Sequence, residues 1–325
     1  MTLRTKILIS ALILIVLSLC GINAFGKNLS DFLFWYGVSQ NPQMLSAELS
    51  LEEKLREVKP IRDRKIPDLE TTAKSAISVL INDSGKERIL FEKESEKILP
   101  IASLTKLMTA WVVLEHYDLS KGITISKLAT NQYGDIGKLE EGKTFPAEYL
   151  LYPLLMESSN GAAFALAEDY DEGMTERNFV GLMNLEAKKM GLSNTFFDNP
   201  TGLDPEESKT EMNYSTANDL VIFTKKLLEK PLIWEILSLP KYSSYGPELI
   251  NTNKFLLDGS TQWQDRIIGG KTGYTGEAGG CLLLVMKAQK AQGLLINVIL
   301  GANGRENRFD EMRKLVEWLK SAYKW

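Results

Sequence analysis

The sequence predicts an α+β domain with a mostly antiparallel sheet, flanked by helices and interrupted by an inserted helical lobe. Three observations predict this fold. Short apolar runs typical of strands lie at residues 75–81 and 281–302, far apart in the chain. Helix-like patterns fill the region between them, roughly residues 128–230. The last segment, residues 305–323, has the apolar spacing of a closing amphipathic helix.

The individual elements follow from local patterns. The runs SAISVLI and RILFE flank the stretch NDSGKE, whose composition is typical of a turn, so a β-hairpin is predicted there. After Pro100, apolar residues recur at helical spacing from Leu104 to Leu114. Near the C-terminus, CLLLVMKA and GLLINVILGA predict two adjacent strands, with a polar turn at residues 289–292.

The N-terminus predicts a membrane signal. Arg4 and Lys6 precede residues 7–26, which carry no charge. A basic start followed by an apolar stretch of this length is typical of a signal anchor or a signal peptide, and both alternatives stay open. We therefore expect the protein to act outside the cytoplasm. It would be tethered to the cell membrane by this segment, or secreted or periplasmic if the segment is cleaved.

The chain is accordingly divided into three parts. Residues 1–26 form the predicted signal segment. Residues 27–73 are interpreted as a membrane-proximal spacer because an aromatic start is followed by a stretch that is rich in charge and closed by Pro60 and Pro67. Residues 74–325 form the predicted catalytic domain.

Composition excludes several kinds of function. The net charge is −4 at pH 7 and no block of basic residues stands out, so nucleic acid is not an expected partner. The chain has one histidine and two cysteines, which makes a metal site improbable, and we expect no cofactor. One cysteine, Cys20, lies in the apolar N-terminal segment, so a disulfide to Cys281 is not expected.

The stretch PIASLTKLMTA places Ser103 and Lys106 three residues apart. On a helix these two side chains share a face, and a lysine whose pKa is lowered by burial and a neighbouring cation can accept the serine proton. The same Ser-x-x-Lys spacing also occurs at Ser238 and Ser321. The spacing alone therefore leaves two alternatives, a catalytic pair or the polar start of a core helix.

Two further motifs favour the catalytic interpretation. MESSNGAA supplies Ser158 and Asn160, and GGKTGYTGEAGG supplies the Lys-Thr-Gly sequence that begins at Lys271. A serine–lysine pair combined with Ser-x-Asn and Lys-Thr-Gly elements is the motif set of β-lactamases and penicillin-binding proteins. Each motif is common alone, but the three in this order are specific.

With these motifs the sequence resembles the low-molecular-weight penicillin-binding proteins, the serine D-alanyl-D-alanine carboxypeptidases of peptidase family S11. The similarity extends to LLYPLLMESSNGAAFALAE, FVGLMNLEAKKMGLSNTFFDNPTGLD, STANDL and NTNKFL, and covers about residues 74–325. It departs from the family at Ser159 and Gly161, where relatives usually have glycine and aspartate. The resemblance implies a β-lactamase/transpeptidase-like fold.

The resemblance also implies a covalent mechanism. Ser103 would attack the carbonyl of the D-Ala-D-Ala bond at the end of a peptidoglycan stem peptide, forming an acyl-enzyme. Lys106 would act as general base, with a pKa lowered by burial and by the charge of Lys271. Ser158 would relay the proton to the leaving D-alanine. β-Lactam antibiotics would act as covalent inhibitors.

The same resemblance implies the substrate contacts. The Thr272 hydroxyl would meet the terminal carboxylate, and the backbone N–H groups of Ser103 and Tyr274 would form the oxyanion hole. Arg308 is the candidate for a second carboxylate contact, with Arg305 as the alternative. The expected substrate-binding residues are Asn160, Lys271, Thr272, Gly273, Tyr274 and Arg308.

Three other functions are alternatives to a carboxypeptidase. A DD-endopeptidase or transpeptidase acting on cross-links would use the same residues. A catalytically inactive cell-wall binding module is disfavoured because the nucleophile and both lysines are present. A β-lactamase that deacylates quickly would need a Glu-x-x-Leu-Asn sequence between Asn160 and Lys271, and the chain has none there.

Overall fold

The structure, a computed structural model, describes residues 36, 41, 60–134, 139–168, 175–205, 212–257, 259, 263–291 and 293–325. The chain divides into two compact units, Met1–Lys59 and Pro60–Trp325. The signal segment predicted at residues 1–26 lies outside the described residues, as does most of the predicted spacer before Pro60. Within the described ranges, no helix has the length and apolar character needed to cross a membrane.

The second unit alternates strands and helices along the chain. The strands are β1 (Ile61–Arg62), β2 (Ser75–Ile81), β3 (Glu87–Lys93), β4 (Leu99–Pro100), β5 (Gly122–Thr124), β6 (Thr144–Pro146), β7 (Tyr214–Ser215), β8 (Lys241–Tyr242), β9 (Leu249–Ile250), β10 (Ile267–Thr275), β11 (Gly279–Lys287), β12 (Leu294–Ala302) and β13 (Tyr323–Lys324). The α-helices are α1 (Lys106–His116), α2 (Lys127–Thr130), α3 (Ala147–Tyr152), α4 (Asn160–Glu168), α5 (Glu176–Lys189), α6 (Ala217–Leu227), α7 (Pro231–Ser238) and α8 (Asn307–Ala322).

A five-stranded sheet joins the two ends of the unit. Its strand order is β10-β11-β12-β2-β3, and every pairing between neighbours is antiparallel. The predicted hairpin is β2–β3, where the Asn82 side chain accepts hydrogen bonds from the backbone N–H groups of Ser84 and Lys86. The predicted C-terminal strand pair is β11–β12. The prediction of an α+β fold with a mostly antiparallel sheet is confirmed.

The sheet separates two apolar cores. Residues such as Val285 and Ile296 on one face pack against helices of the inserted lobe, which runs from α1 to α7. Residues such as Leu284 and Ile299 on the other face pack against the apolar side of α8. Strand β11 is apolar at successive positions, as in CLLLVM, so both of its sides need to be covered. Helices therefore flank both faces of the sheet.

The compact unit begins at Pro60, so residues 60–73, which the sequence assigns to the spacer, make contacts within it. Strand β1 pairs with β13 at the C-terminus, and the Asp63 N–H donates to the Ala322 carbonyl. The hydroxyls of Thr71 and Thr72 donate to the buried carboxylate of Glu311 on α8. These long-range contacts have no local sequence pattern, so residues 60–73 looked like a linker.

Candidate active site

Ser103 lies in a single 3₁₀ turn, Ala102–Thr105, that leads directly into α1. Side chains three residues apart are eclipsed in a 3₁₀ helix, and Lys106 is the first residue of α1. Its Nζ atom lies 3.3 Å from the Ser103 Oγ atom. The turn begins with a positive φ of 48° at Ala102, a conformation that costs energy for a residue other than glycine.

Lys106 is fully buried and held by two further oxygen atoms. Its Nζ donates to the Asn160 Oδ1 atom at 2.6 Å and to the Thr201 carbonyl oxygen at 2.5 Å. These contacts aim the amine at Ser103, so the residues predicted as nucleophile and base do form a pair. The Thr201 carbonyl was not anticipated from the sequence.

Ser158 and Asn160 sit where α3 ends and α4 begins. A π-helical turn, Pro153–Glu157, ends at Ser158, whose φ of 63° and ψ of 34° are left-handed. Ser159 immediately precedes α4, and its Oγ accepts the Ala162 N–H at 3.0 Å as an N-cap serine does. Asn160 donates from Nδ2 to the Tyr133 carbonyl oxygen at 2.6 Å, which leaves its Oδ1 facing Lys106. Ser159, where the chain departs from the family, therefore caps helix α4.

The Lys-Thr-Gly motif lies inside strand β10 rather than in a turn. β10 is an edge strand of the five-stranded sheet. Lys271 is fully buried, and its Nζ donates to the Ser158 Oγ at 2.8 Å and to the Thr272 carbonyl at 3.0 Å. The three motifs thus meet at one place, where Lys106 bonds to Ser103 and Lys271 bonds to Ser158.

The two lysines are electrostatically coupled. Burial, together with the nearby Lys106 and Arg308 cations, lowers the pKa of Lys271 well below its usual range. Burial disfavours an ammonium, and a second positive charge in the same enclosure disfavours it further. The Lys106 amine therefore lies beside a second amine that burial favours in its neutral form.

Strand β10 packs directly against the nucleophile turn at Gly273. A Cβ atom placed on Gly273 would lie 3.0 Å from the Ile101 carbonyl oxygen and 3.1 Å from the Ser103 nitrogen. Glycine permits this approach, which brings strand β10 at Gly273 against the turn that carries Ser103. The Tyr274 side chain is 43% exposed, whereas Thr272 is buried and its hydroxyl shares a 2.7 Å hydrogen bond with Thr252.

Of the two candidate arginines, the structure brings only Arg308 to the motif strand. Arg308 is buried on α8, and its Nη1 donates to the Gly273 carbonyl oxygen at 2.8 Å. Burial, followed by the repulsion of Arg305, lowers the pKa of Arg308 to about 10. Its Nε atom has no hydrogen-bond partner among the described residues. Arg305 is exposed.

The competing residues lie in ordinary structural contexts. The single histidine, His116, is at the end of α1 and pairs with Glu186 at 3.2 Å. In the second Ser-x-x-Lys match, the Ser238 hydroxyl donates to the Glu235 carbonyl oxygen, and in the third, the Ser321 hydroxyl donates to the Glu317 carbonyl oxygen. Neither of these serines bonds to its lysine partner in the described contacts.

The site can perform acyl transfer. It holds a partly exposed serine hydroxyl, a buried amine aimed at that hydroxyl, and a second serine bonded to a second buried amine. A nucleophile beside a base, with the base itself oriented by further groups, is the general arrangement for covalent catalysis.

Comparisons with known proteins agree with this chemistry. A sequence model of the peptidase family described as D-alanyl-D-alanine carboxypeptidase matches residues 63–304. The chain is 33% identical over 272 residues to the D-alanyl-D-alanine carboxypeptidase DacF of Bacillus subtilis strain 168, covering 80% of this chain and 65% of that protein. It is 32% identical to a D-alanyl-D-alanine endopeptidase of Pseudomonas aeruginosa, covering 75% of this chain and 77% of that protein.

A solved structure shows the same fold. The crystal structure of penicillin-binding protein D2 from Listeria monocytogenes, in its cefotaxime-bound form, is 30% identical in sequence. The superposition has a TM-score of 0.66 and covers 78% of this chain and 99% of that one.

Proposed function

The chain belongs to the D-alanyl-D-alanine carboxypeptidase family, peptidase family S11, and from that premise we propose that it removes the terminal D-alanine from peptidoglycan stem peptides through an acyl-enzyme on Ser103. One observation carries the proposal: residues from three distant segments meet so that Lys106 points at Ser103 and Lys271 points at Ser158. The chain matches 65% of the length of its Bacillus relative, so the activity of the whole protein is inferred from this site.

Formation of the acyl-enzyme requires the Ser103 proton to leave as the C–O bond forms. Lys106 takes that proton, because its Nζ is 3.3 Å from the hydroxyl and its other contacts fix the amine in place. An amine can serve as a base only when it is neutral, and burial beside a second amine favours the neutral form.

Breaking the peptide bond requires a proton on the leaving D-alanine nitrogen. Ser158 would give its hydroxyl proton to that nitrogen and regain one from Lys271, whose Nζ donates to the hydroxyl at 2.8 Å. Water would then attack the ester of Ser103 and lose a proton through Ser158 to Lys271. Lys106 would return its proton to the departing Ser103 oxygen, which frees the enzyme for another cycle.

The negative charge of the tetrahedral intermediate needs hydrogen-bond donors that are already in position. The Ser103 N–H and the Tyr274 N–H are the proposed donors, and the close approach at Gly273 supports this pairing. The terminal carboxylate would bind at Thr272 and Lys271, where a negative ligand would restore the charge that burial disfavours on Lys271. Arg308 would act on the same carboxylate through strand β10, which it holds at the Gly273 carbonyl.

The partners follow from the same site. Peptidoglycan stem peptides ending in D-Ala-D-Ala are the proposed substrates. β-Lactams are the proposed covalent inhibitors, which the cefotaxime-bound Listeria relative supports. The proposed location is outside the cytoplasm, tethered to the membrane through residues 1–26.

A second candidate function is cleavage of cross-linked peptides. The Pseudomonas relative is called an endopeptidase and is as similar in sequence as the carboxypeptidase relative. The same serine and lysines would serve both reactions, so the difference rests on which peptide fits the groove.

The test is incubation with two peptides, a stem pentapeptide ending in D-Ala-D-Ala and a cross-linked dimer. A carboxypeptidase releases free D-alanine from the pentapeptide and leaves the dimer intact. Ser238→Ala is the matched control, because Ser238 has the same Ser-x-x-Lys spacing but bonds only within α7, and it should retain full activity. Cleavage of the dimer without release of D-alanine would favour the endopeptidase, and no reaction with either peptide would contradict both.

A further inference from the structure

We propose that Asp204 is a positioning residue, which fixes the end of strand β10 that carries the Tyr274 N–H against the turn that carries Ser103. The inference rests on the proposed function, because it assigns a task to Asp204 only if Tyr274 and Ser103 form the oxyanion hole.

The two carboxylate oxygens of Asp204 bond to the last residue of β10 and to the turn that follows it. The Thr275 hydroxyl donates to Oδ1 at 2.7 Å, and the Glu277 N–H donates to Oδ2 at 3.2 Å. The Thr275 hydroxyl in turn accepts the Ala278 N–H at 3.1 Å. Hydrogen bonds to a carboxylate are stronger than those between neutral groups, so Asp204 clamps Thr275, the residue next to Tyr274.

The loop that carries Asp204 also contacts Lys106 and the turn that carries Ser103. The Thr201 carbonyl accepts the Lys106 amine, and Gly202 packs on the first residue of the nucleophile turn. A Cβ atom on Gly202 would lie 2.1 Å from the Ala102 carbonyl oxygen. These contacts and those of Asp204 lie within four consecutive residues, so one short segment links Lys106, the nucleophile turn and the end of β10.

The start of this loop is anchored independently of Asp204. The Asn199 Oδ1 atom accepts from the backbone N–H groups of Thr201 and Gly202 at 3.1 and 2.7 Å. The buried Asn213 side chain donates to the Thr105 hydroxyl and to the Asn199 carbonyl, both at 2.9 Å. The start of the loop is therefore fixed to the nucleophile turn, and Asp204 links the end of the loop to β10.

Strand β10 needs such a restraint because it is an edge strand. Among the described strands, only β11 pairs with it, so its other side has no ladder of hydrogen bonds. The bonds from Asp204 hold its C-terminal end from outside the sheet. Asp204 touches no proposed reacting group in the described contacts, so it acts through Thr275 and Tyr274.

The experiment measures the rate of acylation by a fluorescent penicillin and the kcat and KM for a D-Ala-D-Ala pentapeptide. The proteins are wild type, Asp204→Asn, Thr275→Val and Thr275→Ser, each as the full chain. Asp204→Asn keeps the shape but places an amide donor near an N–H donor, and Thr275→Val removes the hydroxyl while keeping the charge of Asp204. Since a displacement of about 1 Å can cost about 100-fold in rate, we expect both to slow acylation by about 10- to 100-fold. kcat should fall with KM nearly unchanged, and Thr275→Ser should retain the wild-type rate.

Asp118→Asn is the matched control. Asp118 also accepts a hydroxyl and a backbone N–H, both from Ser120, at 2.8 and 2.9 Å, but in an exposed turn away from the motifs. It should leave acylation unchanged. If Asp204→Asn fails to fold, the comparison of Thr275→Val with Thr275→Ser decides alone.

Two sets of results would overturn the inference. Wild-type acylation rates in Thr275→Val, or an equal loss in Thr275→Ser or Asp118→Asn, would show that Asp204 does not position the strand end. These comparisons are made with a wild-type protein that forms the penicillin adduct, so they are distinct from failure of the proposed function. If wild type formed no adduct at Ser103, the proposed function would fall and the role of Asp204 with it.

Discussion

Two fully buried lysines dominate the site at the scale of single residues. Lys106 and Lys271 are each enclosed with hydroxyl and carbonyl oxygens, and each bonds to a different serine. A buried ammonium is unfavourable without a charged partner, and two side by side are more so. The arrangement therefore lowers stability in order to keep a base available at neutral pH, as active sites commonly do.

Lys271→Met tests this cost directly. The pKa of Lys271 is lower in the folded chain than the value of 10.5 for an ordinary lysine. At pH values between the pKa of Lys271 in the folded chain and 10.5, the unfolded chain binds more protons than the folded chain. The contribution of this group to the free energy of unfolding therefore rises with pH in that range. Each unit of depression costs the folded state about 1.4 kcal/mol at pH values below both.

We therefore expect Lys271→Met to raise the free energy of unfolding at pH 7, because the gain from removing a buried amine whose charged form is disfavoured exceeds the loss of its bond to Ser158. The gain should shrink as the pH approaches 10.5, while acylation by penicillin falls sharply. Urea unfolding at several pH values measures the difference. A variant less stable than wild type at pH 7, or a gain independent of pH, would contradict the assignment.

At the scale of elements, the site depends on the contact between an edge strand, a 3₁₀ turn and the loop 201–204. These pieces come from separate parts of the chain and meet through backbone atoms. Gly202, at φ 80°, and Gly273 provide the close approaches, because a side chain at either would strike the nucleophile turn. Packing of this kind leaves little freedom, so small changes here should affect activity more than stability.

Gly202→Ala separates these two effects when compared with Gly191→Ala. Both glycines have positive φ, 80° and 77°, so both variants pay a similar conformational cost of about 1–2 kcal/mol. Only at Gly202 would the new methyl group meet an atom, since nothing lies within 4 Å of a Cβ at Gly191.

Gly191→Ala should therefore lower stability modestly and keep the wild-type acylation rate per folded molecule. Gly202→Ala should lose more stability and at least about 10-fold in acylation, because the displaced turn carries the nucleophile. Thermal melting and penicillin acylation measure the two effects. Equal acylation rates in the two variants would show that the approach at Gly202 is not needed for catalysis.

At the scale of the whole molecule, the two ends of the catalytic unit hold each other. β1 pairs with β13, and the Thr71 and Thr72 hydroxyls satisfy the buried Glu311 carboxylate. Burial raises the pKa of Glu311, and hydrogen bonds from Thr71, Lys314 and Thr72 lower it. The hydrogen bonds together outweigh burial, so the pKa of Glu311 lies below its usual value. The segment 60–73 is therefore part of the fold.

A chain that begins at Pro60 should fold, whereas one that begins at residue 74 should be strongly destabilised. The shorter chain leaves the carboxylate of Glu311, which is 3% exposed, without two hydroxyl donors and one N–H donor. Leaving a buried charged group short of hydrogen bonds costs about 1–3 kcal/mol or more. Chemical unfolding of the two chains gives the difference, and equal stability would show that residues 60–73 do not stabilise the unit.

The sequence allowed prediction of those features that have a local signature. Apolar runs with turn residues between them predicted β2–β3 and β11–β12, and three short motifs predicted which side chains meet. Arg308 and Arg305 were not separable from sequence, since only packing makes Arg308 buried and Arg305 exposed.

Other parts of the site have no such signature. The carbonyls of Thr201 and Tyr133 hold Lys106 and Asn160, but every residue has a carbonyl, so its use as an acceptor depends on the tertiary fold. Asp204 and Thr252 lie in segments that resemble the family, yet their partners are 71 and 20 residues away. Only the folded chain brings these pairs together.

The central claim is that Ser103 is the nucleophile of an acyl-enzyme. The most direct measurement is mass spectrometry of the intact protein and its peptides after incubation with a penicillin. The account predicts one adduct, located on Ser103, which is absent from Ser103→Ala and unchanged in Ser238→Ala. An adduct on another residue, or one that persists in Ser103→Ala, would contradict it.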